Sequence, residues 1–240
     1  MCLVSFLKTL KTNMKDVYFI SGIDTGIGKT VATGLMARSL IARGVDAITV
    51  KMVQTGNDGF SEDIDAHRAI MGTVRFPEDD LGLTAPQIFK FPSSPLLAAR
   101  LEDRTVDLDK ISSAVAACAK NRDVVLVESA GGLDVPLAED TLTSDFVASQ
   151  GWPLILVTCG RLGAINHALL SLDAAKARGI PVAGVVHNSH FSSDSRLDED
   201  AVNAIRRHMA RLGLPPALVR IPTVHPSAPP PDIDFSEIFT

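Results

Sequence analysis

Gly22-Ile23-Asp24-Thr25-Gly26-Ile27-Gly28-Lys29-Thr30 is the stretch on which the fold turns. An apolar run, Val17–Ser21, leads directly into it, and a segment of helical period beginning at Lys29 leads directly out. A glycine-rich loop between a strand and a helix is the setting a phosphate-binding loop requires. The glycines let the backbone turn and aim N–H groups inward, and the helix start adds partial positive charge. Lys29 then reaches the β and γ phosphates, and the Thr30 hydroxyl is placed for magnesium. Five residues separate Gly22 from Gly28, one more than the strict form of the motif allows.

Outward from this loop, apolar strand-like runs alternate with longer helical segments, the pattern of βα units around a parallel sheet. Strands are expected at Val17–Ser21, Ala47–Met52, Asp123–Glu128, Leu154–Thr158, Val182–His187 and Val219–Ile221. Helices are expected at Lys29–Arg43, Asp63–Met71, Pro95–Leu101, Asp107–Lys120, Thr143–Gln150, Asn166–Arg178 and Asp200–Leu212. Strands such as Val124–Val127 and Leu154–Val157 are apolar on both faces and need cover on both. The expectation is an α/β three-layer sandwich with a mostly parallel sheet, of P-loop NTPase type, as one domain over residues 14–224. Residues 1–13 read as a disordered extension. From His225 to Asp232 the prolines exclude helix and give an extended surface stretch, within a Pro-rich C-terminal tail over 225–240.

Composition narrows the function. The 240 residues are 46% hydrophobic and 21% charged, with a formal net charge of -5 and a mean hydropathy of +0.20. This excludes global disorder and argues against a broad nucleic-acid footprint, which needs clustered Lys and Arg. No apolar run reaches the ~18 residues of a membrane span. The three cysteines, Cys2, Cys118 and Cys159, form no CxxC pair, which suits reduced thiols in the cytoplasm.

Further residues converge on phosphate chemistry. Glu128 ends the strand Val124-Val125-Leu126-Val127 and precedes Ser129-Ala130-Gly131-Gly132. Ligands of open parallel sheets sit at the carboxyl ends of strands, so Glu128 reads as a magnesium ligand beside Thr30, with a plain cap as the alternative. Lys51 ends another apolar strand before Gln54-Thr55-Gly56, and reads as a cation aimed at a transferring phosphoryl group or as a snorkelling lysine. The acids Asp58, Glu62, Asp63 and Asp65 follow, and the residues alone do not choose a ligand among them. Leu162-Gly163-Ala164-Ile165-Asn166-His167 opens a helix whose N–H groups suit either a carboxylate or a plain structural start. His187 and His190 are not read as a metal pair, for want of a third suitably spaced ligand.

Taken together, Gly22–Thr30, Lys51–Gly56, Glu128–Gly132 and Leu162–His167 resemble the dethiobiotin synthetase family, in order, from about Tyr18 to Asn188. The longer phosphate loop is the form that family uses. The resemblance implies ATP-dependent closure of a ureido ring on 7,8-diaminopelargonate with CO2, through a carbamate and a carbamic-phosphoric anhydride. It implies ATP as substrate and Mg2+ as cofactor. Catalytic roles fall to Lys51, Lys29, Thr25 and Thr55. Nucleotide contacts fall to Gly26, Ile27, Gly28, Lys29, Thr30 and Val31, with Asn188 reading adenine. The metal ligands are Thr30, Asp65 and Glu128, the Asp65-Ala66 pair being the best match within the acidic run. Thr55 and the helix start Gly163, Ala164, Ile165 and Asn166 bind substrate, the latter across the interface of a homodimer. No nucleic-acid or membrane partner is implied.

Three positions depart from the family pattern: Met52 for a proline, Ser129 for a glycine and Leu96 for a histidine. None removes a charge the chemistry needs. Two other readings compete. A partitioning or septum-positioning ATPase would be a nucleotide-switched dimer, but Ile23, Asp24 and Thr25 stand where that class carries an extra lysine. A related ATP-dependent amidoligase usually carries a glutamine amidotransferase domain, for which 240 residues leave no room.

Overall fold

The computed structural model describes residues 16–225 and 228–239; the reading of residues 1–13 lies outside them. Six strands form one parallel sheet: β1 (Asp16–Gly22), β2 (Ala47–Lys51), β5 (Val124–Gly132), β8 (Leu154–Cys159), β9 (Val182–Asn188) and β10 (Leu218–Ile221), in the order β10-β9-β8-β1-β5-β2. Every residue of β2 and β8 is buried, so both faces of the sheet are covered and the molecule has three layers. The chain steps from β1 out to β2, returns to β5, then crosses to β8 on the other side of β1. The winding therefore reverses at β1, and the carboxyl ends beside a reversal are where open sheets hold ligands.

The helices are α1 (Lys29–Ala42), α2 (Glu62–Met71), α3 (Pro77–Asp80), α4 (Pro95–Leu101), α5 (Leu108–Asn121), α6 (Thr143–Gln150), α7 (Ala164–Ala177) and α8 (Ser195–Leu212). Two small sheets flank the site edge: β3 (Gln54–Thr55) pairs with β4 (Ile88–Phe89), and β6 (Pro136–Ala138) with β7 (Thr141–Leu142). The expected strands and long helices are all present. Helix α8 begins five residues earlier than its periodicity suggested, because the Asp194 side chain caps it by accepting from the Arg196 N–H at 2.8 Å. Strand β5 continues past Glu128 to Gly132, still paired with β1 at Gly22.

Helix α1 crosses α2 closely because Gly34 has no side chain: a Cβ there would stand 2.9 Å from the Ile70 Cβ. That approach brings the first turn of α2 over the start of α1.

The tail reading needs correction. Residues 228–232 contain no helix, as the prolines require, but the chain beyond them docks. Phe235 is 1% exposed and Ile238 is buried beside it. The Phe239 ring meets Tyr18 edge-on at 5.1 Å. The Ser39 hydroxyl donates to the Ile233 carbonyl at 2.8 Å, and Arg43 pairs with Asp234. Apolar side chains placed after the prolines draw this segment onto α1 and β1.

Candidate functional site

At the carboxyl ends of β1, β2 and β5 lies a cavity of about 680 Å³. Its lining brings together Thr25, Gly26, Gly28, Lys29, Thr30, Lys51, Thr55 and Glu128, as the sequence reading expected, and adds Gln54, Glu62 and Asp63. Register explains the centre of it. Lys51 of β2 and Glu128 of β5 are direct partners across a parallel pair, and Ile20 of β1 stands on the other side of Glu128. Each ends an apolar run, so the two charged groups are buried side by side at the strand tips.

The loop is set by Gly28, which caps α1 at φ 90. A Cβ there would also lie 2.2 Å from the Asn188 Nδ2, so both backbone and space demand glycine. Asn188 donates to the Ile27 carbonyl at 2.9 Å and thereby ties the tip of β9 to the loop. Lys29 folds over the loop and donates to the Asp24 carbonyl at 2.8 Å. Burial pushes its ammonium down to about 8, with Glu128 opposing the shift and Lys51 adding to it.

Lys51 is 5% exposed. Its ammonium reaches Asp63 Oδ2 at 2.7 Å, Glu128 Oε1 at 2.8 Å and the Ser129 carbonyl at 2.9 Å. Burial works against the charge, but Glu128 and Asp63 outweigh it and hold Lys51 above its ordinary range. Burial would likewise raise the Glu128 carboxyl; Lys51 and a hydrogen bond from His67 override it and hold the group well below the usual carboxylate range.

Three oxygens converge beside this lysine. Thr30 Oγ1 donates to Asp63 Oδ1 at 2.8 Å and stands 3.1 Å from Glu128 Oε1. A hydroxyl has one hydrogen, so it satisfies one of these two carboxylates and not the other. An all-oxygen set of two carboxylates and a hydroxyl suits Mg2+, which keeps several waters and takes one or two carboxylates. Among the described residues no three His, Cys, Asp or Glu side chains form a metal-binding group; a cation held at this point would be met by Thr30, Asp63 and Glu128.

Asp65, the acid that the sequence reading favoured, stands apart from this oxygen set. It pairs with Arg75 at 3.2 Å, with both side chains about half exposed. Two residues along a helix is about 200° of turn, which carries Asp65 away from the face that presents Asp63. Ser61 sets that phase: it caps α2 by accepting from the Ile64 N–H at 3.2 Å and donates to Gln54 Oε1 at 2.6 Å. The reading of the sequence also passed over His67. It lies one turn after Asp63, and its Nε2 is 2.8 Å from Glu128 Oε2. The signal was present as i, i+4 spacing within the buried set Ile64, His67, Arg68 and Met71.

The remaining expected residues lie outside the cavity lining. Ile27 and Val31 belong to the loop and helix behind it, and Asn188 to the strand tip beside it. Gly163 caps α7 at φ 91, with Ala164, Ile165 and Asn166 in the first turn, and none of the four lines the cavity. His187 accepts from the Thr158 hydroxyl at 3.0 Å and meets Asp198 at 2.8 Å. Of the departures from the family pattern, Met52 donates its N–H to the Glu128 carbonyl at 3.0 Å, a bond no proline makes. The Ser129 hydroxyl donates to the Gly131 carbonyl at 3.0 Å, and Leu96 is half-buried. No helix among the described residues is long and apolar enough to cross a membrane.

A family model described as an AAA domain matches residues 16–230. The chain is 43% identical over 198 residues to ATP-dependent dethiobiotin synthetase BioD 2 of Pasteurella multocida, covering 82% of this chain and 93% of that one. It is 46% identical over 220 residues to ATP-dependent dethiobiotin synthetase BioD of Chlorobaculum tepidum, covering 91% and 92%. Among solved structures, a ParA family ATPase from Chlorobium tepidum TLS superposes with a TM-score of 0.52 at 18% identity, covering 88% of this chain and 86% of that one. That last likeness is one of fold.

Proposed function

The chain belongs to the ATP-dependent dethiobiotin synthetases, ligases of biotin biosynthesis, and from that premise we propose how its cavity carries out the ring closure. One amine of 7,8-diaminopelargonate attacks CO2 and becomes a carbamate. A carbamate oxygen attacks the γ-phosphorus of ATP, the bond to the bridging oxygen breaks, and ADP leaves. The second amine attacks the carbonyl carbon of the resulting carbamic-phosphoric anhydride, closes the ring and expels phosphate.

The observation that carries this reading is the convergence of Lys51, Thr30, Asp63 and Glu128 on one cavity beside the phosphate loop. Gly26, Gly28 and Lys29 hold the phosphates through backbone N–H groups and an ammonium. Lys51 carries three N–H donors and faces the charge that develops between carbamate and γ-phosphoryl oxygens. Thr25 and Thr55 line the same space and orient the carbamate. Thr30, Asp63 and Glu128 would hold Mg2+, which would supply positive charge against the phosphate oxygens. No side chain forms a covalent intermediate; the work is positioning and charge stabilisation.

The enzyme acts as a cytoplasmic homodimer. Gly163, Ala164, Ile165 and Asn166 of one subunit offer helix N–H groups to the substrate carboxylate in the site of the other, and Asn188 reads adenine. In support, this helix start lies off its own chain's cavity, and the adjoining Leu162 is 86% exposed, as a residue awaiting a second copy would be.

The test is incubation with MgATP, the diamine and 13C-bicarbonate, followed by mass spectrometry. Dethiobiotin one mass unit heavier than the unlabelled compound, appearing only when all three are present, is the expected result. Product lacking the label would overturn the carboxylation route.

A further inference from the structure

We propose that His67 is a positioning residue: it clamps Glu128 Oε2 so that Glu128 Oε1 stays turned toward Thr30 and the cation. The inference rests on the magnesium site proposed above.

His67 is 0% exposed, as is Glu128. The carboxylate divides its two oxygens between two sets of partners. Oε1 faces Lys51 at 2.8 Å and Thr30 at 3.1 Å, while Oε2 meets His67 Nε2 at 2.8 Å. A carboxylate only accepts hydrogen bonds, so the shared hydrogen sits on Nε2. The other ring nitrogen, Nδ1, is buried without a hydrogen-bond partner among the described residues. A buried polar atom left without a partner is a cost that an apolar side chain would avoid. What the imidazole provides in return is the single N–H aimed at Oε2.

The geometry of α2 makes the clamp more than local. Asp63 and His67 are one turn apart on the same face of this helix. Asp63 reaches Thr30 and Lys51 directly, and His67 reaches Glu128 from behind. One rigid helix thus supplies one ligand and sets the rotation of another. Partners that orient ligating carboxylates typically govern metal affinity by about 10- to 100-fold.

The experiment titrates MgCl2 into the full-length protein with a non-hydrolysable ATP analogue and follows analogue binding by calorimetry. His67→Leu keeps the bulk and removes the donor; His67→Gln keeps an N–H donor of similar reach. The expected result is a magnesium midpoint about 10- to 100-fold higher for His67→Leu and within about threefold of wild type for His67→Gln. Analogue affinity in EDTA should be the same for all three proteins. Should His67→Leu fail to fold, His67→Met serves in its place, with the same expectation. Equal midpoints for wild type and the donor-less variant would overturn the inference while leaving the metal site standing. Equal losses in the Leu and Gln variants would also overturn it, because shape rather than the hydrogen bond would then matter. A wild-type protein that binds the analogue identically with and without magnesium would overturn the metal site itself, and the clamp with it.

Discussion

Two fully buried histidines in this molecule each place Nε2 2.8 Å from a carboxylate, yet their surroundings differ. At the β8–β9 side, His187 is satisfied throughout: Thr158 donates to Nδ1, and Ser189 donates to the second oxygen of Asp198 at 2.9 Å. At the β2–β5 side, His67 has one nitrogen without a partner, and Glu128 competes with Asp63 for a single Thr30 hydrogen. The first cluster is complete within the protein. The second opens on the cavity, with the Lys51 ammonium set between the Asp63 and Glu128 oxygens. Two pairs of one type thus sit differently, a closed one that ties strands and α8 together and an open one that faces the cavity. Changes in the open cluster should alter chemistry, and changes in the closed one should alter stability with the chemistry left in place.

The largest separation should come from Lys51→Ala. Loss of one donor aimed at developing charge costs about 10²- to 10³-fold in turnover, so kcat should fall by that much while analogue binding persists. Lys29→Ala should weaken nucleotide binding as well. Steady-state kinetics and calorimetry on the two variants check this; matching, wild-type behaviour in both would dissolve the open cluster as a catalytic centre. Next, His187→Leu leaves Asp198 and Thr158 without their shared partner and should destabilise the fold by about 2–4 kcal/mol. Its kcat at saturating ATP should stay within about twofold of wild type. Chemical denaturation and initial rates read the two effects separately, and a large kcat loss with an intact fold would erase the contrast between the clusters.

A finer cut comes from neighbouring acids. Asp63→Asn should raise the magnesium requirement by about 10- to 100-fold, whereas Asp65→Asn, which removes only an exposed pair with Arg75, should change stability by less than about 0.5 kcal/mol and leave the magnesium titration unmoved. The reverse order would restore Asp65 as the ligand. The smallest effect concerns pH. Burial, opposed by Asp198, pulls His187 below its ordinary value. The unfolded chain therefore binds a proton below about pH 6.5 that the folded chain refuses, and stability falls as pH drops through that range. The stability advantage of wild type over His187→Gln should shrink between pH 7 and pH 5. A difference that does not change with pH would mean that His187 charges in place.

The contrast between clusters also shows what was legible in the chain. Lys51 and Glu128 could be placed because each ends an apolar strand, and parallel strands of a sheet bring such ends to one edge. Asp63 could not be chosen over Asp65 by composition, since the choice depends on the helical phase that Ser61 fixes through its cap and its bond to Gln54. His67 was hidden for a related reason: its partner Glu128 is 61 residues away in the chain, and it is the packing of α2 on α1 at Gly34 and on β2 through Arg68 and Thr49 that brings their elements together. The short pairs β3–β4 and β6–β7, two or three residues per strand, are too brief to show a period. The docked end of the chain was legible in part, since Phe235, Ile238 and Phe239 follow the prolines, but which surface they cover depends on the assembled sheet.

The most direct measurement is phosphate release from MgATP by the purified protein, followed as 7,8-diaminopelargonate is added in the presence of bicarbonate. The account predicts release that requires the diamine, with one phosphate for each dethiobiotin formed. Slow release that ignores the diamine would contradict it and mark the loop as a nucleotide switch.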